Sequence, residues 1–214
     1  KVTASLGEDE GDPITDHESA AGHAYKTVTF SGPGGKILHK TVDRPWHHET
    51  AKKKRDWGTI TANFTGTSHT KSWTSLDNGA GQKWRTTVTA TTYDTVAGRV
   101  TKIDDQGDTA TTSDDQCTRT TYATNTESNI LTLPSRVETV AVSCGTTPDR
   151  SKHVMADTRT AYDGLGYGAA PTKGDPTTVA SIARHNGTTA TYQEAATTYD
   201  SYGRQLTATD ISAD

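Results

Sequence analysis

Four groups of residues have types and spacings that chemistry could use. In "WHHETAKKKRDW" (46–57), His47, His48, Glu49 and Asp56 offer nitrogen and oxygen ligands close together. Adjacent side chains on a strand point to opposite faces, so His47 and His48 reach one ion only from a loop. The segment reads as a polar loop framed by Trp46 and Trp57. "DDQGD" (104–108) has the oxygens and glycine of a calcium loop without the alternation or closing glutamate of an EF-hand, and loop chemistry accounts for it. Cys117 and His153 are the types of a thiol nucleophile and its base, but nothing in the local sequence supports that geometry. Asn63-Phe-Thr and Asn186-Gly-Thr fit the glycosylation pattern, which a Thr-rich chain makes by chance. No catalytic residue, metal ligand or cofactor is expected from these groups, and the chain reads as non-enzymatic.

A repeated phrase is more informative. "TTYDTVAGR" (91–99) and "TTYDSYGR" (197–204) each end a Thr-rich run, place Tyr and Asp at its edge, and resume a run after Gly-Arg. Each residue type has work to do at a chain reversal. Tyr93 and Tyr199 can lay a ring on a sheet while the hydroxyl reaches backbone. Asp94 and Asp200 can accept bonds from the N–H groups of the turn, and Gly98 and Gly203 allow a left-handed backbone. Arg99 and Arg204 can pair back to an acid, that of the same turn or the next. Looser copies stand at "TTYATN" (Tyr122) and at "TAYDGLG", with Tyr162, Asp163 and Gly166, where the arginine is missing.

The elements that must hold these turns are strands. "YKTVTF", "SGPGG" and "KILHKTV" predict a first hairpin over 25–42, with Gly34 and Gly35 free to take positive φ. Asn78-Gly79, the favoured pair for a two-residue type I′ turn, predicts a second that sets Trp73 directly opposite Trp84. Asn186-Gly187 predicts another, with Ser181 facing Tyr192 and Ile182 facing Thr191. No stretch carries a helical period over helical length. The first 24 residues are acidic and small and read as an irregular lead-in, and 25–214 as a β-hairpin repeat array.

Composition narrows the function classes. Only 30% of residues are hydrophobic and roughly a fifth are Thr, which suits wide, thin β-structure better than a thick globule. Four Trp, eight Tyr and a net charge of only −4 argue for a folded chain. The single basic run, Lys52-Lys53-Lys54-Arg55, is short and reads as a solvated loop, so nucleic acid is not an expected partner. No apolar run approaches the length that spans a bilayer. The chain starts at Lys1, so a processed chain or a piece of a longer one is expected. Cys117 and Cys144 lie 27 positions apart beside strand-like runs. A bridge there stabilises by roughly 3 to 4 kcal/mol in the chain-entropy model, with two free buried thiols as the alternative. The scant apolar content favours the bridge, and a bridge implies an extracytoplasmic setting.

Tyr-Asp, a short spacer, Gly-Arg and a later Asp resemble the YD repeat of the RHS family, which includes bacterial polymorphic-toxin shells, insecticidal toxin-complex shells and the animal teneurins. "YDSYGRQLTATD" (199–210) matches well, "YDTVAGRVTKIDD" (93–105) matches with one extra spacer residue, and "YDGLG" matches in its first half. The resemblance implies an all-β array of antiparallel hairpins forming part of a coiled, shell-like sheet around a toxin or other cargo, the shell itself not being the catalyst. No Asp-Pro-x-Gly segment of the kind that ends such shells by self-cleavage occurs, so a protease core and toxin are expected beyond Asp214. Open sheet edges imply pairing with further repeats of the same chain or other copies. The expected product is a secreted or cell-surface wall segment. The rival reading is an extracellular carbohydrate- or surface-binding β-module using exposed Trp platforms, and burial of Trp73 and Trp84 separates the two.

Overall fold

The computed structural model describes residues 3–7, 9–81 and 83–210, in two compact units, Lys1–Asp115 and Gln116–Asp214. Both are antiparallel β-meanders, as the Thr-rich runs punctuated by Gly-bearing turns require.

The first unit holds β1 (Thr3–Ala4), β2 (Ile14–Thr15), a 3-10 turn (Glu18–Ala20), β3 (Lys26–Phe30), β4 (Ile37–Arg55), β5 (Gly58–Ser75), β6 (Trp84–Tyr93) and β7 (Val100–Asp108). β1 pairs with β2, and β3 through β7 pair each with the next. The β3–β4 reversal turns on Gly32-Pro33-Gly34-Gly35, closed by Gly35 N–H donating to Gly32 O at 2.9 Å. Proline second and Gly34 third, at φ 68°, are what a type II turn requires, while Gly35 is not left-handed.

The small core of this unit is Ile14, Val42 and Trp73, flanked by Ala4, Leu6, Tyr25 and Trp84. The acidic opening segment therefore packs more closely than its composition suggests. Ile14 is a core residue, and the buried Glu10 takes Lys26 at 2.7 Å and Lys40 at 3.2 Å. Lys40 and Lys71 place their ammonium groups 4.3 and 4.7 Å from the Trp73 ring centroid, so aromatic and cation share the work that aliphatic side chains do elsewhere.

β4 and β5 outrun their neighbours. β3 pairs with β4 no further than Val42, and β6 pairs with β5 no further than His69, yet the β4–β5 ladder continues to Arg55 opposite Gly58. The stretch read as a polar loop is thus a projecting two-stranded ribbon, and residues 49–62 are all exposed. Backbone pairing and Thr content, rather than alternation of apolar side chains, carry the strands there.

The second unit holds β8 (Gln116–Asn125), β9 (Ile130–Val140), β10 (Val154–Tyr162), β11 (Pro176–His185), β12 (Ala190–Tyr199) and β13 (Gln205–Asp210), each paired with the next. Its buried apolar residues are few and mostly small: Cys117, Ala123, Val140, Ala161, Pro171, Ala180 and the Tyr162 ring. A disulfide joins Cys117 to Cys144, with Cα atoms 4.9 Å apart. Facing threonines close the polar strands side chain to side chain, as Thr118 with Thr139 at 2.9 Å.

Two expected registers are corrected. Asn78 and Gly79 both adopt positive φ, 52° and 79°, but they sit in a longer loop closed by Leu76 N–H donating to Lys83 O at 2.9 Å. The Asp77 carboxylate accepts the N–H groups of Gly79, Gly81 and Lys83 and so organises that wider loop. Trp73 consequently faces Thr86, and Trp84 faces Ser75. The two indoles share one face diagonally, both against the Ile14–Val42 core. At Asn186-Gly187 the turn spans Asn186 to Thr189, whose N–H groups Asn186 Oδ1 caps together with that of Thr188, and Ile182 faces Tyr192.

Candidate functional site: the tyrosine turns

Tyr93 closes β6, Tyr162 closes β10 and Tyr199 closes β12. In each hairpin the register slips by one residue immediately before the tyrosine. The β8–β9 pair slips likewise before Tyr122, although Tyr122 lies inside β8 and the chain reverses only after Asn125. Each slip leaves one extra residue on the returning strand, namely Thr101, Ser135, Thr177 and Leu206. That two-against-one count is a β-bulge, which bends the strand and raises its twist.

The tyrosine hydroxyls then reach back one strand. Tyr93 donates to Thr67 O at 3.0 Å, Tyr162 to Pro134 O at 2.9 Å and Tyr199 to Pro176 O at 3.2 Å. These acceptors are not arbitrary. Pro134 stands opposite Tyr122, Pro176 opposite Tyr162, and Thr67 opposite Pro45, each at a register slip. The irregular backbone of one hairpin is the acceptor for the tyrosine of the next, and a strand proline is at home in such a place because it has no N–H to lose. In the first unit the Tyr93 ring also stacks on Trp46, centroids 4.6 Å apart, and lies so close over Gly66 that a Cβ there would meet its Cζ at 2.7 Å.

The aspartates hold the turns themselves. Asp94 Oδ1 accepts the N–H groups of Val96 and Ala97 at 3.0 and 2.8 Å, and Oδ2 accepts Arg99 Nε at 2.5 Å. Asp200 repeats this with Tyr202 N–H at 2.8 Å, Arg204 N–H at 3.0 Å and Arg204 Nε at 2.7 Å. Gly98 and Gly203 are left-handed, at φ 67° and 76°. Burial of Asp94 raises its pKa, but the N–H of Ala97 and the Arg99 guanidinium outweigh burial and leave the carboxyl below its usual range.

The Asp163 turn departs from this pattern. Its positive φ falls on Asp163 itself, at 58°, and on Gly164, at 72°; Gly166 is not left-handed and does not fill the role of Gly98. The missing arginine is replaced by backbone, since the Asp163 carboxylate accepts N–H groups from Thr172, Lys173, Gly174 and Asp175 at 2.6 to 3.1 Å. Those donors outweigh the burial that raises it and hold the Asp163 carboxyl at about 2. One aspartate thereby closes a long excursion, with Asp163 N–H donating to Asp175 O at 2.8 Å.

The chemistry-bearing residues lie apart. The His47 ring stacks on His17 at 3.9 Å, and His48 lies near Trp46, on the opposite face of β4. No group of three or more His, Cys, Asp or Glu able to hold a metal occurs among the described residues. Cys117 is bonded to Cys144 and is not a thiol. Of the tryptophans, Trp73 is 3% exposed, Trp46 and Trp84 are half-buried, and Trp57 at the ribbon tip is 78% exposed. No helix among the described residues is long and apolar enough to cross a membrane.

Sequence reading missed a charged checkerboard in the second unit. Glu138 faces Asp157 and Arg136 faces Arg159 across β9–β10, and unlike charges meet on the diagonal, Arg136 Nη2 lying 2.6 Å from Asp157, and along the strand, 2.8 Å from Glu138. Tyr192 adds its hydroxyl to Asp157 at 2.6 Å. The i, i+2 charges of "SRVE" and "ADTR" were the available signal, but only the register turns them into a network.

No family model, no curated protein and no solved structure matches the chain.

Proposed function

We propose that this chain is a non-catalytic segment of an extracytoplasmic YD-repeat protein of the RHS type, a wall built by adding one hairpin to the next around a toxin or other cargo. The observation that carries this reading is the tyrosine ladder, in which each hydroxyl bonds the irregular backbone of the hairpin before it. Such a rule makes every hairpin a docking template for its successor, which is how a repeat array extends. Two further features support it. The apolar core is thin, as in a wall and unlike a globule, and Trp73 and Trp84 pack inward instead of forming a platform. β13 has no second partner strand among the described residues, so it offers backbone groups to a further repeat or another copy. The disulfide is compatible with a secreted or cell-surface location.

Protease protection tests the reading. A protease-sensitive passenger carried in the same complete polypeptide should resist trypsin while the wall is intact, and become cleavable when Tyr162→Phe and Tyr199→Phe weaken the ladder. A passenger cut equally fast in both forms overturns the proposal.

A further inference from the structure

The checkerboard of the second unit opens onto a cleft of about 450 Å³ lined by Arg136, Arg150, Arg159, His185, Thr188 and Tyr192, among others. Its charges are sorted by depth. The carboxylates are sealed, the Asp157 and Glu138 side chains being 1% and 9% exposed, whereas Arg136, Arg150 and Arg159 keep 34%, 32% and 35%. Arg136, Arg150 and Arg159 stand part-exposed at the mouth, with Glu194 in the same row beyond Arg159 and Ala180.

Asp157 accepts from Arg136 and Tyr192 with Arg159 Nη2 3.6 Å away, and Glu138 is shared by Arg136 and Arg150. Arg159 Nε is shut off from water with no acceptor, its guanidinium lying 4.4 Å over the Tyr192 ring. His185 faces donors on both sides, Arg150 Nε at 3.3 Å on one ring nitrogen and Gly187 N–H at 3.0 Å on the other. A neutral imidazole has one bare nitrogen and an imidazolium none, so at least one of these donors has no acceptor. A network built only for stability would balance its donors; this one holds N–H groups without acceptors and keeps three guanidiniums part-exposed beside an open cleft.

We propose that this cleft binds a phosphate or sulfate ester carried on a sugar-sized body. The planar guanidiniums suit the oxygens of a tetrahedral oxyanion, which accept in pairs. The cleft volume exceeds what a bare oxyanion fills, and the threonine loop, held by Asn186 Oδ1, lies where neutral hydroxyls would meet the rest of the ligand. The site stands independently of the wall reading, because it uses side chains that the tyrosine ladder does not.

The test is calorimetric titration of the whole chain with glucose 6-phosphate, inorganic phosphate and glucose. Glucose 6-phosphate should bind more tightly than inorganic phosphate, and glucose should not bind. Arg150→Gln should weaken the ester about tenfold or more, the loss expected for one charged hydrogen-bonding partner. Because Arg150 also meets the buried Glu138, Thr188→Val provides a second variant that leaves the carboxylates paired and removes a neutral hydroxyl of the cleft; it too should weaken binding, with an unchanged circular dichroism spectrum. Absence of ester binding overturns the proposal, as does affinity unchanged in both variants. Equal affinity for inorganic phosphate overturns the sugar-sized body.

Discussion

Tyr162 donates its hydroxyl to the carbonyl of Pro134, 2.9 Å away and one strand back, and Pro134 is the residue that faces Tyr122 across the previous hairpin. Tyr199 stands in the same relation to Pro176, which faces Tyr162. The repeated phrase is therefore a rule of assembly as well as of turning: the register slip in one hairpin leaves a carbonyl placed for the next tyrosine.

Burial should decide what each rung contributes. Tyr162 is buried and Tyr199 lies nearer the surface. Tyr162→Phe should cost about 1 to 2 kcal/mol, since a carbonyl is left without its partner away from water, and Tyr199→Phe about 0.5 kcal/mol. Urea unfolding followed by circular dichroism measures both. A larger loss at position 199 than at 162 would show that the hydroxyl bonds do not scale with burial.

The Gly66 contact predicts a steric effect in the first unit. An added Cβ meets the Tyr93 ring at 2.7 Å, so Gly66→Ala must push that ring off Trp46 or shift β5. Overpacking of this kind costs about 1 to 3 kcal/mol. All four tryptophans lie in this unit, so their fluorescence should report both the lost stacking and a lowered unfolding midpoint. A Gly66→Ala chain with unchanged emission and midpoint would refute the close approach.

Much of this was legible in the sequence because turn chemistry is local. Asp94, Gly98 and Arg99 act within six residues of one another, so their types alone announce a capped reversal. Register is less local. Asn78-Gly79 is left-handed as its types demand, yet Asp77 and Ser75 capture the surrounding N–H groups and move Trp73 two places away from facing Trp84. The β4–β5 ribbon was hidden because its strands present lysines and threonines on both faces, leaving no alternation to see. Asp157 and Arg136 meet only through tertiary register, 21 positions apart.

The disulfide ties β8 to the turn after β9 beside the buried Val140. Reduction should cost about 3 to 4 kcal/mol on the chain-entropy model for a loop of this length. Thermal unfolding by circular dichroism, with and without reductant, reads the loss. A Cys117→Ala, Cys144→Ala double variant should match the reduced protein; unchanged unfolding in both would mean the bridge holds nothing that the strand ladder does not already hold.

Glu10 gives the first unit an acid-sensitive joint. Burial alone would raise its pKa, but Lys26, the Gly7 N–H and Lys40 prevail and hold it at about 2, against 4.5 for a free glutamate. Because the folded value is the lower one, the contribution is fully present above pH 4.5 and is lost as pH falls toward 2. The difference corresponds to about 3 kcal/mol at most. Glu10→Gln should remove it, lowering stability at neutral pH and flattening the pH dependence of the urea midpoint read by tryptophan fluorescence. If the variant and the parent chain lose stability in parallel on acidification, the titrating group lies elsewhere, and the Lys26–Glu10–Lys40 cluster is not what ties the opening segment to β3 and β4.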